Sequence, residues 1–123
     1  MRLIGPNMHP PYPSFAAIEL AGSKLKEKLK LEGIDLREFI YITTSEEWDK
    51  QLGLLVVYET KAELIRRTKD GTNELIKDRF LKELSVVFSI FPYKEPPQAI
   101  SCEYESYENI KENYQGSYYL RLR

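Results

Sequence analysis

Cys102 is the only cysteine and His9 the only histidine of the chain, and most of the sequence lies between them. A thiol enzyme needs a base or positive charge beside its cysteine, because the thiolate is the reactive form. Cys102 instead shares the inward phase of an alternating run with Ile100 and Tyr104, the setting of an inert buried thiol. His9 stands between Met8 and Pro10 without an acidic neighbour in sequence, so nothing tunes its imidazole for proton transfer. One Cys and one His fall short of the roughly four ligands of a structural zinc site, and neither a metal nor another cofactor is expected. The acid pairs Glu46 with Asp49 and Glu103 with Glu105 have the residue types of a carboxylate hydrolase, but neither lies in a diagnostic motif. The six glycines are scattered singly, with no phosphate-cradling loop or nucleophile elbow among them. No catalytic residue is assigned, and the reading leans away from an enzyme.

Charge is more informative than nucleophiles. The chain as a whole carries a formal charge of -1, which gives it no global reason to bind nucleic acid or an anionic membrane. Locally the balance shifts: residues 32–59 hold Glu32, Asp35, Glu38, Glu46, Glu47, Asp49 and Glu59 against Arg37 and Lys50. Residues 95–116 hold Glu95, Glu103, Glu105, Glu108 and Glu112 against Lys111, with tyrosines 93, 104, 107, 114 and 118 in or beside them. Tyrosine offers a large amphipathic contact at interfaces, and carboxylates steer a basic partner toward them. The partner-binding residues expected are therefore Glu103, Glu105, Tyr107, Glu108, Glu112 and Tyr114. Glu46, Glu47, Trp48 and Asp49 form a second patch, in which the lone tryptophan either caps the core or anchors a partner. The competing reading places half of the tyrosines in the core and leaves the glutamates as a solvated face. The basic middle of the chain, around Lys61, Arg66, Arg67, Lys69, Lys77, Arg79 and Lys82, is interrupted by acids at i,i+4 spacings such as Glu63 with Arg67, the pattern of a solvated helix.

The elements that must position these residues follow from period and punctuation. Residues 1–13 contain four of the seven prolines and are expected as an extended arm. Ser14 is placed to cap a helix over 15–31 with Phe15, Ile18, Ala21, Leu25 and Leu29 on one face, stopped at Gly33. The β-branched and aromatic runs 39–43 and 54–58 read as the two central strands, and their ten-residue link is too short for a helical crossover, which makes them antiparallel. Thr60 and Glu63 have the spacing of a capping box. The helix they open is interrupted near Lys69-Asp70-Gly71 and resumes to about Phe91, where Pro92 ends it. Alternation from Ile100 to Glu105 predicts a strand, Ser106 a cap for a short helix over 107–112, and renewed alternation over 117–122 a last strand. In that arrangement Glu103 and Glu105 face Arg121 and Arg123 across neighbouring strands.

The order α-β-β-α-(α)-β-α-β predicts an α+β two-layer sandwich, with a mostly antiparallel sheet of about four strands and helices on one face. A length of 123 residues suits one domain over 14–123 behind the arm. With one cysteine, no signal-peptide pattern and no apolar run approaching the roughly 20 residues of a membrane span, a cytoplasmic, soluble protein is expected. The function that follows is a non-enzymatic binding domain that occupies a basic protein partner, comparable in size and charge pattern alone to inhibitor or immunity-type proteins. Two alternatives stand beside it: a self-assembling module that joins copies through the arm and the C-terminal strand, and a small enzyme or ligand-binding domain with a pocket the sequence does not place.

Overall fold

A computed structural model describes residues 2–4, 13–43, 52–90 and 100–122. Its elements run β1 (Arg2–Ile4), α1 (Pro13–Leu31), β2 (Glu38–Thr43), β3 (Leu52–Tyr58), α2 (Lys61–Lys69), α3 (Thr72–Ile90), β4 (Ser101–Ser106), α4 (Tyr107–Tyr114) and α5 (Tyr118–Leu122). The class is α+β. In the sheet β2, β3 and β4 form the body and the three-residue β1 lies outside β2, in the order β1-β2-β3-β4.

β2 and β3 pair antiparallel from Glu38↔Val57 to Thr43↔Leu52, as the short link requires. β4 instead runs parallel to β3, from Gly53↔Ser101 to Tyr58↔Ser106, which departs from the mostly antiparallel expectation. The physical reason is the connection, since α2 and α3 carry the chain back along the sheet before β4 starts, and a helical crossover returns it in the same direction. The proline-rich segment supplies β1, antiparallel to β2 through Arg2↔Thr43 and Ile4↔Tyr41. α1 starts at Pro13, which suits a first helical position with no N–H to satisfy, so Ser14 lies inside the first turn rather than capping it.

The sheet is covered on both faces, not one. On the first, Ile18, Ala21, Leu25 and Leu29 of α1 and Ile76, Phe80, Leu84 and Val87 of α3 pack on Phe39, Tyr41, Leu54, Val56 and Tyr58, with Leu64 of α2 at the margin. On the second, Ile40, Leu55 and Val57 are covered by Tyr107, Tyr118 and Leu122. Both faces of β3 are thus buried, as its unbroken apolar run implies. The last strand of the sequence reading is the short helix α5. Over 118–122 the chain reads as period two or, through Tyr118 and Leu122, as i,i+4, and burial against the second face selects the helix. Gln115 at φ 55 and Gly116 at φ 77 turn the chain back between α4 and α5, the left-handed geometry that glycine adopts without strain. With 118–122 helical, the self-assembly alternative loses its C-terminal strand.

Three hydrogen bonds at Asn73 hold the first layer at fixed spacing. Tyr58 Oη donates to Asn73 Oδ1 at 2.6 Å, Asn73 Nδ2 donates to Thr68 Oγ1 at 2.9 Å, and Tyr104 Oη donates to the Asn73 carbonyl at 2.9 Å. These bonds tie β3 and β4 to the α2–α3 junction, and burial pushes both phenols above their usual pKa. At Gly22 of α1, an added Cβ would lie 1.9 Å from Tyr41 Oη and 3.1 Å from its Cζ. Tyr41 is buried against Phe80, so its ring has little room to retreat. Gly22→Ala is therefore expected to lower stability by about 1–3 kcal/mol, the range for overpacking, as a reduced urea midpoint. In a Tyr41→Phe background the same substitution should cost less, and an equal cost in both would remove the hydroxyl clash as its cause.

Candidate functional site

β3 and β4 end side by side at Tyr58 and Ser106, and the chain leaves them toward opposite faces of the sheet. Glu59-Thr60 leads into α2 on the face of α1 and α3, whereas Ser106 leads directly into α4 on the other. Adjacent parallel strands whose continuations diverge in this way open a crevice at their carboxyl ends, where open sheets most often bind ligands. Here the crevice has a volume of about 390 Å³ and is lined by Glu59, Thr60, Tyr107, Glu108, Lys111 and Glu112.

Two helices start at this crevice, and their exposed N–H groups would ordinarily favour an anion. The chain answers them itself. Thr60 Oγ1 accepts from Glu63 N at 3.1 Å and Glu108 Oε1 from Lys61 N at 2.9 Å. At α4, Ser106 Oγ accepts from Asn109 N at 3.1 Å and the Glu59 carbonyl from Glu108 N at 3.1 Å. With these donors engaged, the crevice presents three carboxylates and the Tyr107 ring beside the single Lys111 ammonium, a lining that suits a cationic group better than a phosphate.

A second cluster adjoins the first. The Arg37 guanidinium carbon lies 3.5 Å from the Tyr107 ring centroid, and Nη1 donates to both Glu59 carboxylate oxygens at 3.2 Å. Tyr107 is 6.2 Å from Tyr118, ring centre to ring centre, and the Tyr118 hydroxyl donates to Glu38. Burial raises the Tyr118 pKa, and the bond to Glu38 raises it further by favouring the protonated phenol. Within the crevice itself, Glu112 pairs with Lys61.

The residues expected from the sequence divide. Tyr107, Glu108 and Glu112 line the crevice, while Tyr114 lies at the other end of α4 and does not. Glu103 is exposed and accepts from Arg121 Nη1 at 3.0 Å. Glu105, expected on the outer face, is buried: Oε1 accepts from Ser106 N at 2.9 Å and Asn109 Nδ2 at 3.1 Å, and Oε2 from Arg121 Nε at 3.0 Å. Its carboxylate joins β4, α4 and α5 and belongs to the fold. The charge match of Glu103 and Glu105 with Arg121 is present, made by a helix rather than a neighbouring strand. Glu46, Glu47, Trp48, Asp49, His9, Pro92 and Arg123 lie outside the described residues.

Sequence reasoning missed Arg37, Glu59, Lys61, Lys111 and Tyr118. The capping-box spacing at Thr60 was a signal for the start of α2, but nothing local indicates that Arg37 meets Tyr107 across 70 positions of chain. It also missed how far the acidic excess is answered: Arg37, Lys61 and Arg121 reach Glu59, Glu112 and the Glu103–Glu105 pair from other elements. Cys102 is half-buried, and burial raises its thiol pKa, which disfavours the reactive thiolate. Among the described residues no group of three or more His, Cys, Asp or Glu side chains is placed to hold a metal ion, and none of their helices is long and apolar enough to cross a membrane. Comparisons with protein-family models, with curated proteins and with solved structures return no match.

Proposed function

We propose that this chain is a non-enzymatic, cytoplasmic protein-binding domain that occupies a basic protein partner, as an inhibitor or immunity-type protein does. The observation that carries this reading is the crevice between the ends of β3 and β4, lined by Glu59, Glu108 and Glu112 together with Tyr107 and a single lysine, Lys111. Tyrosine and arginine are the residue types that concentrate binding energy at interfaces, and Tyr107, Tyr118 and Arg37 meet at its rim. The ion pairs there are exposed, of the kind worth about 0–1 kcal/mol each, so a partner's cations can replace them at small cost. The partner is bound by the α4 side of the sheet, leaving the α1–α3 layer free.

Capture from native lysate tests this. The tagged chain should retain one stoichiometric basic protein at low ionic strength and release it near roughly 0.5 M salt, where the screening length falls to a few ångströms. Glu59→Lys with Glu112→Lys should abolish capture, and Lys24→Glu, on α1, should preserve it. Recovery of the bait alone, or capture indifferent to the charge reversal, would overturn the reading.

A further inference from the structure

We propose that Glu103 and Glu105 guard the edge of the sheet, keeping a second copy of this chain from adding its own β4 beside β4. The inference is independent of the partner reading above. Among the described residues no strand lies beyond β4. Ser101 and Glu103 on one of its faces are exposed, and Cys102 and Tyr104 on the other are half-buried. A strand edge of this kind carries N–H and C=O groups without ladder partners, the template on which chains join edge to edge.

β4 is otherwise shaped for such joining. Its register with β3 is unbroken from Ser101 to Ser106, and its sequence contains neither proline nor lysine, so a bulge, a proline and a lysine, three common ways of blunting an edge, are all missing from it. At the opposite edge β1 has only three residues, and shortness protects it. What β4 carries instead is charge. Two copies related by a two-fold axis perpendicular to the sheet would pair antiparallel, with residues that point to the same face standing opposite each other. The two registers that overlap most of Ser101–Ser106 set Glu103 opposite the second copy's Glu103 or opposite its Glu105, and like charges directly opposite destabilise a pair. In each copy two carboxylates meet one guanidinium: Arg121 donates from Nη1 to Glu103 and from Nε to Glu105, both at 3.0 Å. The Glu103 side chain keeps 50% of its exposure, and an added strand would strip that water from it. A buried ion pair gains little over well-packed apolar side chains in stability, so exclusion of a second copy gives the cluster a role that packing alone does not.

Sedimentation velocity across a wide range of concentrations tests this with Glu103→Thr, which puts a strand-favouring residue at an exposed position and leaves the Glu105–Arg121 pair in place. The native chain should stay monomeric. Glu103→Thr should associate roughly tenfold or more tightly, the scale expected when like charges no longer face each other across paired strands. Glu103→Gln, which keeps the side-chain shape, should do the same and separates loss of charge from any loosening of the fold. Glu27→Gln, at an exposed position of α1, should remain monomeric, which separates the edge from overall charge. In the associated variants the outward amides of 101–105 should gain protection from hydrogen exchange, because they become ladder groups. A native chain that already dimerises through β4, or Glu103 variants as monomeric as the native chain, would overturn the guard. So would association that also follows Glu27→Gln or that leaves the β4 amides unprotected.

Discussion

A Phe80→Ala chain is expected to lose about 3–5 kcal/mol of stability, the cost of removing a phenyl group from a packed interior. Phe80 is fully buried at the middle of α3, with ring centroids 5.9 Å from Phe39 and 6.3 Å from Tyr41. It is the side chain through which the outer helix layer meets the centre of β2. Its truncation removes the aromatic contacts and leaves a cavity under α1, and Gly22 offers no side chain to fill it. Domains typically hold only about 5–15 kcal/mol in total, so the variant should unfold at a much lower urea concentration. Phe80→Leu, which restores most of the volume, should recover more than half of the loss. A Phe80→Ala chain with an unchanged midpoint would mean that the layer does not pack as described.

Arg121→Ala is expected to cost about 3 kcal/mol, at the lower end of the 3–5 kcal/mol for leaving a buried charge without its partner. The Glu105 side chain retains 9% of its exposure and Arg121 retains 21%, so water screens the pair only slightly from one side. Without the guanidinium, Glu105 keeps its bonds from Ser106 N and Asn109 Nδ2, but its charge stays desolvated. Combining Arg121→Ala with Glu105→Gln removes that charge, and the double variant should be more stable than Arg121→Ala alone. Urea melts of the four chains give the coupling directly. Additive costs would show that the two side chains act independently. The pair also anchors α5, so in the single variant the amides of 118–122 should exchange with solvent before those of β3.

Both effects rest on tertiary contacts, yet the two positions differ in how legible they were. Phe80 belongs to the i, i+3/i+4 stripe of Ile76, Leu84 and Val87 that marks the inner face of a long helix, and that stripe is buried as its spacing demands. The attraction of Arg121 for Glu103 and Glu105 was also readable, because opposite charges at alternating positions need only proximity. What supplies the proximity was not readable. A five-residue segment such as Tyr118–Leu122 is shorter than the span over which periods of two and of 3.6 separate, and an isolated helix of that length is not stable in water. Its conformation is chosen by the apolar face of Ile40, Leu55 and Val57 that it covers.

The same division holds for the crevice. Local chemistry determines where α2 and α4 begin, because Thr60 and Ser106 cap their helices by bonds to residues three positions on. It determines β2 and β3 as an antiparallel pair, because the link between them is too short for any other return. The direction of β4, the face to which α4 turns and the meeting of Arg37 with Glu59 and Tyr107 were decided only by the tertiary structure. These are interactions between groups distant in sequence, whose energies depend on burial and separation, and neither quantity is defined until the two faces of the sheet are covered.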